Sequence, residues 1–220
     1  MTTSYSVKPT LETNSVHTTD LPTVLLIGTS NIKFIKEDKL TPFAKVIKQI
    51  GYTLDETYQF ISSSELTSPD LFLFHPFTND IKRYDPKQCV DKMNHSIEVV
   101  QHKWSQSKII ISLATPRADE FHHHTNGQIL NTLLEQHVLE NQSVTTLNHS
   151  NMLHDGSPDL NLLNEDGVHL NEKGVSLLAS NMKRMIHNSL GIETINTRRT
   201  RSKSRAKFGS GRNREYSRKR

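Results

Sequence analysis

The stretch TVLLIGTSNIKFI, residues 23–35, decides how the rest of the chain is read. Val24, Leu25, Leu26 and Ile27 form a short apolar run that stops at Gly28, and Thr29, Ser30 and Asn31 follow at once. An unbroken apolar run bounded by glycine and small polar residues reads as a strand buried on both faces. Such strands belong to parallel sheets with helices on either side. Taken alone, Ser30 is a helix N-cap. At the end of a central strand, it also stands where a nucleophile would be displayed.

Working outward, the same alternation of strand and helix repeats. The region 31–50 reads as partly helical, interrupted by Pro42, and 52–61 as a second strand. PDLFLFH, 69–75, suits a central strand. Asp85 and Pro86 make a helix start, because aspartate suits the cap and proline the first helical position. Cys89, Val90, Met93, Ile97, Val100 and Trp104 then recur at helical spacing. KIIISLA, 108–114, is another buried strand, and Ile129, Leu130, Leu133, Leu134 and Val138 stripe the next helix. SVTTLN, 143–148, is a weak last strand, and Asn171 caps a final helix striped by Val175, Leu178, Met182 and Ile186. The expectation is an α/β fold, a three-layer α/β/α sandwich around a parallel central sheet. Ligands bind such sheets at the carboxyl ends of the strands, which singles out the loops 28–31, 75–81 and 148–170.

Composition fits one domain with tails. The sequence has 220 residues and a formal net charge of +4. Residues 198–220 hold 11 Lys or Arg and one acid, Glu215, so this tail carries +10 and the remainder −6. The expected organisation is a flexible polar leader (1–21), a folded domain (22–190) and a basic disordered tail (191–220). No apolar run is long enough to span a membrane, and the polar leader lacks a secretory signal. Cys89 is the single cysteine, so no internal disulfide can form; it reads as a small core residue in an intracellular protein, cytoplasmic or nuclear.

Each strand-end loop carries a conspicuous polar residue: Ser30 in the first, Asn79 and Asp80 in PFTND, and Asp166 with His169 in EDGVHLNEKG. These are the parts of an acyl-transfer site. A serine hydroxyl holds its proton too tightly to attack unaided near neutral pH. A histidine can take that proton and later deliver it to the leaving group. A carboxylate on the other ring nitrogen fixes the tautomer and stabilises the imidazolium. An amide or a backbone N–H can then stabilise the oxyanion.

The sequence resembles the SGNH/GDSL family of serine esterases and lipases. IGTSN (27–31) is similar to that family's first block, with Thr29 where aspartate is usual. FTND (77–80) is similar to the third, with Phe77 in place of glycine. DGVH (166–169) matches the fourth. The resemblance runs from about residue 22 to 190 and implies a flavodoxin-like SGNH hydrolase architecture. It implies hydrolysis of carboxylic esters of small-molecule substrates without a cofactor. Ser30 would be the nucleophile, His169 the base and Asp166 its orienting acid. Asn79 and the Ser30 N–H would form part of the oxyanion hole. The family's glycine after the second strand finds no match between Gly51 and Gly127, so Ser62 or Ser63, in ISSSEL, takes its place here. His75, Phe77 and Arg117 are candidate pocket residues.

Other features have plainer readings. His122, His123 and His124 suggest a metal, but adjacent histidines on one turn point apart, so they read as a polar helix start with no metal. Residues 198–220, with Phe208 and Tyr216 among the basic residues, suit nucleic acid binding or nuclear import. A second function follows from that tail: a catalytically inactive esterase-like module, of retroelement origin, whose basic arm holds nucleic acid.

Overall fold

In the computed structural model, which describes residues 21–192 except 140 and 142, five parallel strands run in the order β2-β1-β3-β4-β5. They are β1 (Thr23–Gly28), β2 (Lys45–Ile50), β3 (Leu71–His75), β4 (Lys108–Ser112) and β5 (Val144–Leu147). The helices are α1 (Glu37–Leu40), α2 (Leu54–Ser63), α3 (Pro86–Lys103), α4 (Phe121–Leu139) and α5 (Glu172–Leu190). A two-stranded antiparallel ribbon, β6 (Leu153–His154) with β7 (Ser157–Pro158), interrupts the final loop. The leader and the basic tail, with the readings attached to them, lie outside the described residues.

Side chains on alternate strand positions split the core in two. Leu25, Ile27, Phe72, Phe74, Ile109 and Ile111 pack with α2, α3 and α4. Val24, Leu26, Leu71, Leu73, Ile110 and Leu147 pack with α1 and α5. Both faces of the sheet are therefore covered, as the unalternating apolar strands require. The 2-1-3-4-5 order reverses direction between β1 and β3, and a crevice opens at the strand ends of such a reversal. Ser30 lies two residues past the end of β1.

Local chemistry explains the boundaries. Asp85 accepts the Gln88 N–H while the Gln88 side chain bonds back to the cap, with Pro86 next in line. Asn171 accepts the N–H groups of Lys173 and Gly174 at the start of α5. Cys89 is fully buried in the core, and desolvation pushes its thiol up to about 12.

The second strand departs from expectation. It is KVIKQI, 45–50, and the segment 52–61 contains the start of α2 instead. β2 is an edge strand paired only with β1, so its residues are mostly half-buried and its apolar signal is diluted by lysines. In α2 the buried residues Leu54, Thr57 and Ile61 follow helical spacing, and Thr53 caps the Glu56 N–H. The loop after the second strand is thus 51–53, and it opens with Gly51. Gly28 has a different role from a turn: a Cβ there would lie 2.7 Å from the His75 carbonyl oxygen on β3. Its bare Cα lets the strand ends approach.

Candidate active site

Three loops are laced together above the sheet. The Thr29 N–H donates to the His75 carbonyl at 3.2 Å, and the buried hydroxyls of Thr29 and Thr78 meet at 2.9 Å. Threonine at 29 thereby replaces a charge with a neutral bond to the β3 loop. Asn79 Nδ2 donates to the Tyr52 carbonyl at 2.9 Å. Asp80, fully buried, accepts the Leu54 N–H at the start of α2 through both oxygens, at 3.1 and 3.3 Å. Burial pushes the Asp80 carboxyl up, against the pull of the Leu54 N–H. The loops after β1, β2 and β3 therefore hold one another.

Ser30 opens a short 3-10 turn, Ser30–Ile32. The first N–H groups of such a turn have no partner within it and point outward. Beside it, Asn31 is buried, and its Oδ1 accepts the Leu170 N–H at 3.2 Å. That bond ties the serine loop to the residue following His169. The Asn31 Nδ2 is buried without a partner among the described residues.

Asp166 and His169 form one unit. Asp166 Oδ1 accepts the N–H groups of Val168 (2.8 Å) and His169 (2.9 Å), and its Oδ2 meets His169 Nδ1 at 2.6 Å. Partial burial pushes the Asp166 carboxyl up, but these three bonds outweigh it and hold the group at about 2. It is a carboxylate at any ordinary pH. Gly167 makes the turn possible: its φ is +66°, and a Cβ would lie 2.8 Å from the Asp119 nitrogen. Its carbonyl accepts the Ala118 N–H at 2.7 Å, so the β4–α4 loop braces the turn.

Ser30, Asp166 and His169 line a single cleft of about 250 Å³, with Asn31, Lys33 and Phe34 on the same wall. No hydrogen bond joins the Ser30 hydroxyl to His169 among the described contacts, and His169 Nε2 is likewise unengaged.

The remaining candidates fall elsewhere. Ser62 sits in the last turn of α2 with its carbonyl bonded to Lys103 Nζ, so neither it nor Ser63 follows the second strand. That loop begins with Gly51, whose N–H continues the sheet by donating to the Gly28 carbonyl at 3.0 Å. Phe77 is buried in the α2–α3 core rather than in the cleft. It retains a φ of +83° at the position where the motif has glycine. Arg117 is a clamp: Nη1 donates to the Thr78 carbonyl at 2.9 Å, and Nε and Nη2 grip Asp119 at 2.7 and 2.6 Å. It borders a different pocket of about 90 Å³. His75 is sealed under the sheet end, bonded through Nδ1 to Ser112 at 2.8 Å. Glu120, His122 and His123 bring possible ligand atoms within 4.8 Å of one another, so these histidines do not point apart. His123 is engaged with Asp119 at 3.2 Å.

Sequence reasoning missed Asn31, Thr78, Gly51 and Gly167 as parts of the scaffold. Asn31 and Thr78 flank motif residues, which was the available signal; their partners lie 139 and 49 residues away and leave no local trace.

Comparison with solved structures shows the fold. A GDSL-like lipase from Bacteroides thetaiotaomicron superposes with a TM-score of 0.64 at 16% identity, covering 76% of this chain and 89% of that one. A member of the lipolytic G-D-S-L family from Veillonella parvula gives 0.60 at 16%, covering 74% and 96%. A carbohydrate esterase family 3 protein from Talaromyces cellulolyticus gives 0.58 at 15%, covering 79% and 100%. The chain has the SGNH hydrolase fold. No family model and no curated protein matches the sequence. No helix among the described residues is long and apolar enough to cross a membrane.

Proposed function

We propose that the protein hydrolyses carboxylic esters through an acyl-enzyme on Ser30. The observation that carries this reading is the shared cleft of Ser30, Asp166 and His169, with the carboxylate 2.6 Å from the ring. Asp166 on Nδ1 leaves Nε2 as the basic nitrogen. As Ser30 Oγ bonds to the acyl carbon, Nε2 takes its proton. The carbon–oxygen bond to the alcohol then breaks, and the same proton leaves with the alcohol. Water repeats the sequence and frees the acid and Ser30. The oxyanion is received by the Ser30 N–H and by the second N–H of Asn79 Nδ2, whose first is spent on Tyr52. In this reading the esterase domain spans 22–190, and the loop after the second strand supplies no donor from Ser62, which lies in α2.

A fluorophosphonate probe should label the wild-type chain and not Ser30→Ala. A short nitrophenyl ester should be turned over by wild type alone. Equal labelling of the two proteins would remove Ser30 from the mechanism.

A further inference from the structure

The cleft does not end at Ser30. A larger groove of about 480 Å³ lies between residues 34–40 and α5, and it shares Phe34 and Val175 with the cleft. Its floor is apolar, built from Ile35, Leu40, Val175 and Ala179. Phe34, at the junction, is 71% exposed and continues the apolar floor of the groove into the cleft. Along α5 the distance from Val175 to Lys183 is about 12 Å.

The rim is basic. Lys36, Lys39 and Lys183 line it against one acid, Glu172. None of the three lysines has an ion-pair partner among the described residues. Glu37, which could neutralise them, is held by Lys48 at 3.3 Å. Lys48 also donates to the carbonyls of Lys33 and Ile35, fixing the segment that carries Phe34 and Lys36. This cationic rim stands on a body whose net charge is −6, once the +10 tail is set apart from the +4 whole.

We infer that this groove holds the hydrocarbon chain of an amphiphilic ester whose anionic end is received by Lys36, Lys39 and Lys183. The inference rests on the ester-hydrolase reading for turnover, but binding tests it separately. In turnover, mono-nitrophenyl suberate should outperform nitrophenyl octanoate, and octanoate should outperform acetate. Each methylene buried in the groove contributes about fourfold in kcat/KM. Lys39→Glu with Lys183→Glu should raise KM for suberate tenfold or more, leave kcat alone, and leave acetate hydrolysis unchanged. Ser180→Trp, an exposed position, should remove the chain-length gain.

In binding, dansyl-undecanoic acid added to Ser30→Ala should give a saturable blue-shifted signal that weakens with salt and with the lysine double variant. Failure to hydrolyse any of the three esters with this signal intact would overturn the esterase reading and keep the groove. Acetate hydrolysis with no chain-length preference and no dansyl signal would overturn the groove. A salt-insensitive signal, unchanged by the lysine variants, would overturn the anionic part. A dimer broken by Ser180→Trp, with no dansyl signal, would assign the face to a second copy and also overturn the inference.

Discussion

Ser30, Asp166 and His169 surround an open cleft, while Ser112, His75 and His149 are sealed on the α5 face of the same sheet. The His169 and Asp166 side chains are 47% and 50% exposed, whereas His75, Ser112 and His149 are 1%, 0% and 4% exposed. The buried group has triad-like geometry: Ser112 Oγ lies 2.8 Å from His75 Nδ1 and 2.7 Å from His149 Nε2, and Asn181 Nδ2 sits 3.2 Å from His149 Nδ1. The difference lies in charge and access. Asp166 presents a carboxylate to the His169 ring, while Asn181 presents an amide donor to His149. Asn181 donates to His149, which forces His149 to donate to Ser112 and Ser112 to His75. The His75 Nε2–H is left buried with no acceptor among the described residues. The same residue types thus line an open cleft in one place and specify the fold in the other.

The largest effects should fall on the open group. Ser30→Ala should lower kcat by roughly 10⁴–10⁶-fold with an unchanged melting temperature. Asp166→Asn should cost about 10⁴-fold, since the ring keeps a partner but loses the tautomer and the charge. Asn79→Ala should cost about 10²–10³-fold. Steady-state rates on a nitrophenyl ester, beside thermal melts, check all three. A Ser112→Ala variant should do the reverse: full turnover per folded molecule, and stability lower by about 1–3 kcal/mol. Lost turnover in folded Ser112→Ala would dissolve the contrast.

Acid should separate the two groups next. Burial lowers His75 to about 3, with His149 nearby adding to the effect, and burial lowers His149 to about 4. In the unfolded chain both titrate near 6.5. Below that value the unfolded chain binds two protons that the folded chain refuses, so acid favours unfolding. Between about pH 6 and 4.5 these two groups should remove about 2.7 kcal/mol per pH unit. Asp166 acts lower: its folded value of about 2 means its contribution is present above about 4 and lost as pH falls toward 2. Urea titrations across pH check the slope, and His149→Gln should halve it. An unchanged slope would show that His149 contributes nothing to it.

How much of this was legible follows from where each signal resides. The central strands and α3 carry their own evidence, because continuous apolar runs and the Asp85–Pro86 cap are local. DGVH is local too, since Asp166 and His169 bond across one turn. β2 was not legible, because an edge strand half-covered on each face loses the apolar run. The error carried the second loop from Gly51 to Ser62. The buried group was not legible either: Ser112, His149 and Asn181 become neighbours only through sheet order. Arg117 suggests a pocket residue because a charged residue after a strand looks available; Asp119, two residues on, neutralises it.

The smallest effect concerns the residue that separates the two groups. β3 ends with His75 in the buried chain and continues to Thr78 and Asn79 in the site, and Phe77 makes the turn between them. Its φ of +83° is costly for any residue with a Cβ, by about 1–2 kcal/mol. The ring, fully buried among Leu25, Phe74 and Ile81, offsets that strain. Phe77→Ala keeps the strain and loses the ring, for about 3–5 kcal/mol. Phe77→Gly also loses the ring but releases the strain. Glycine is ordinarily the less stable of the two by about 0.5–1 kcal/mol. Here the order should invert, with glycine above alanine by roughly 1 kcal/mol in chemical denaturation, once the strain is set against glycine's greater unfolded-state freedom. Alanine above glycine would mean that the turn relaxes on losing the ring, and that packing alone, not the motif's backbone, holds Asn79 against the Tyr52 carbonyl.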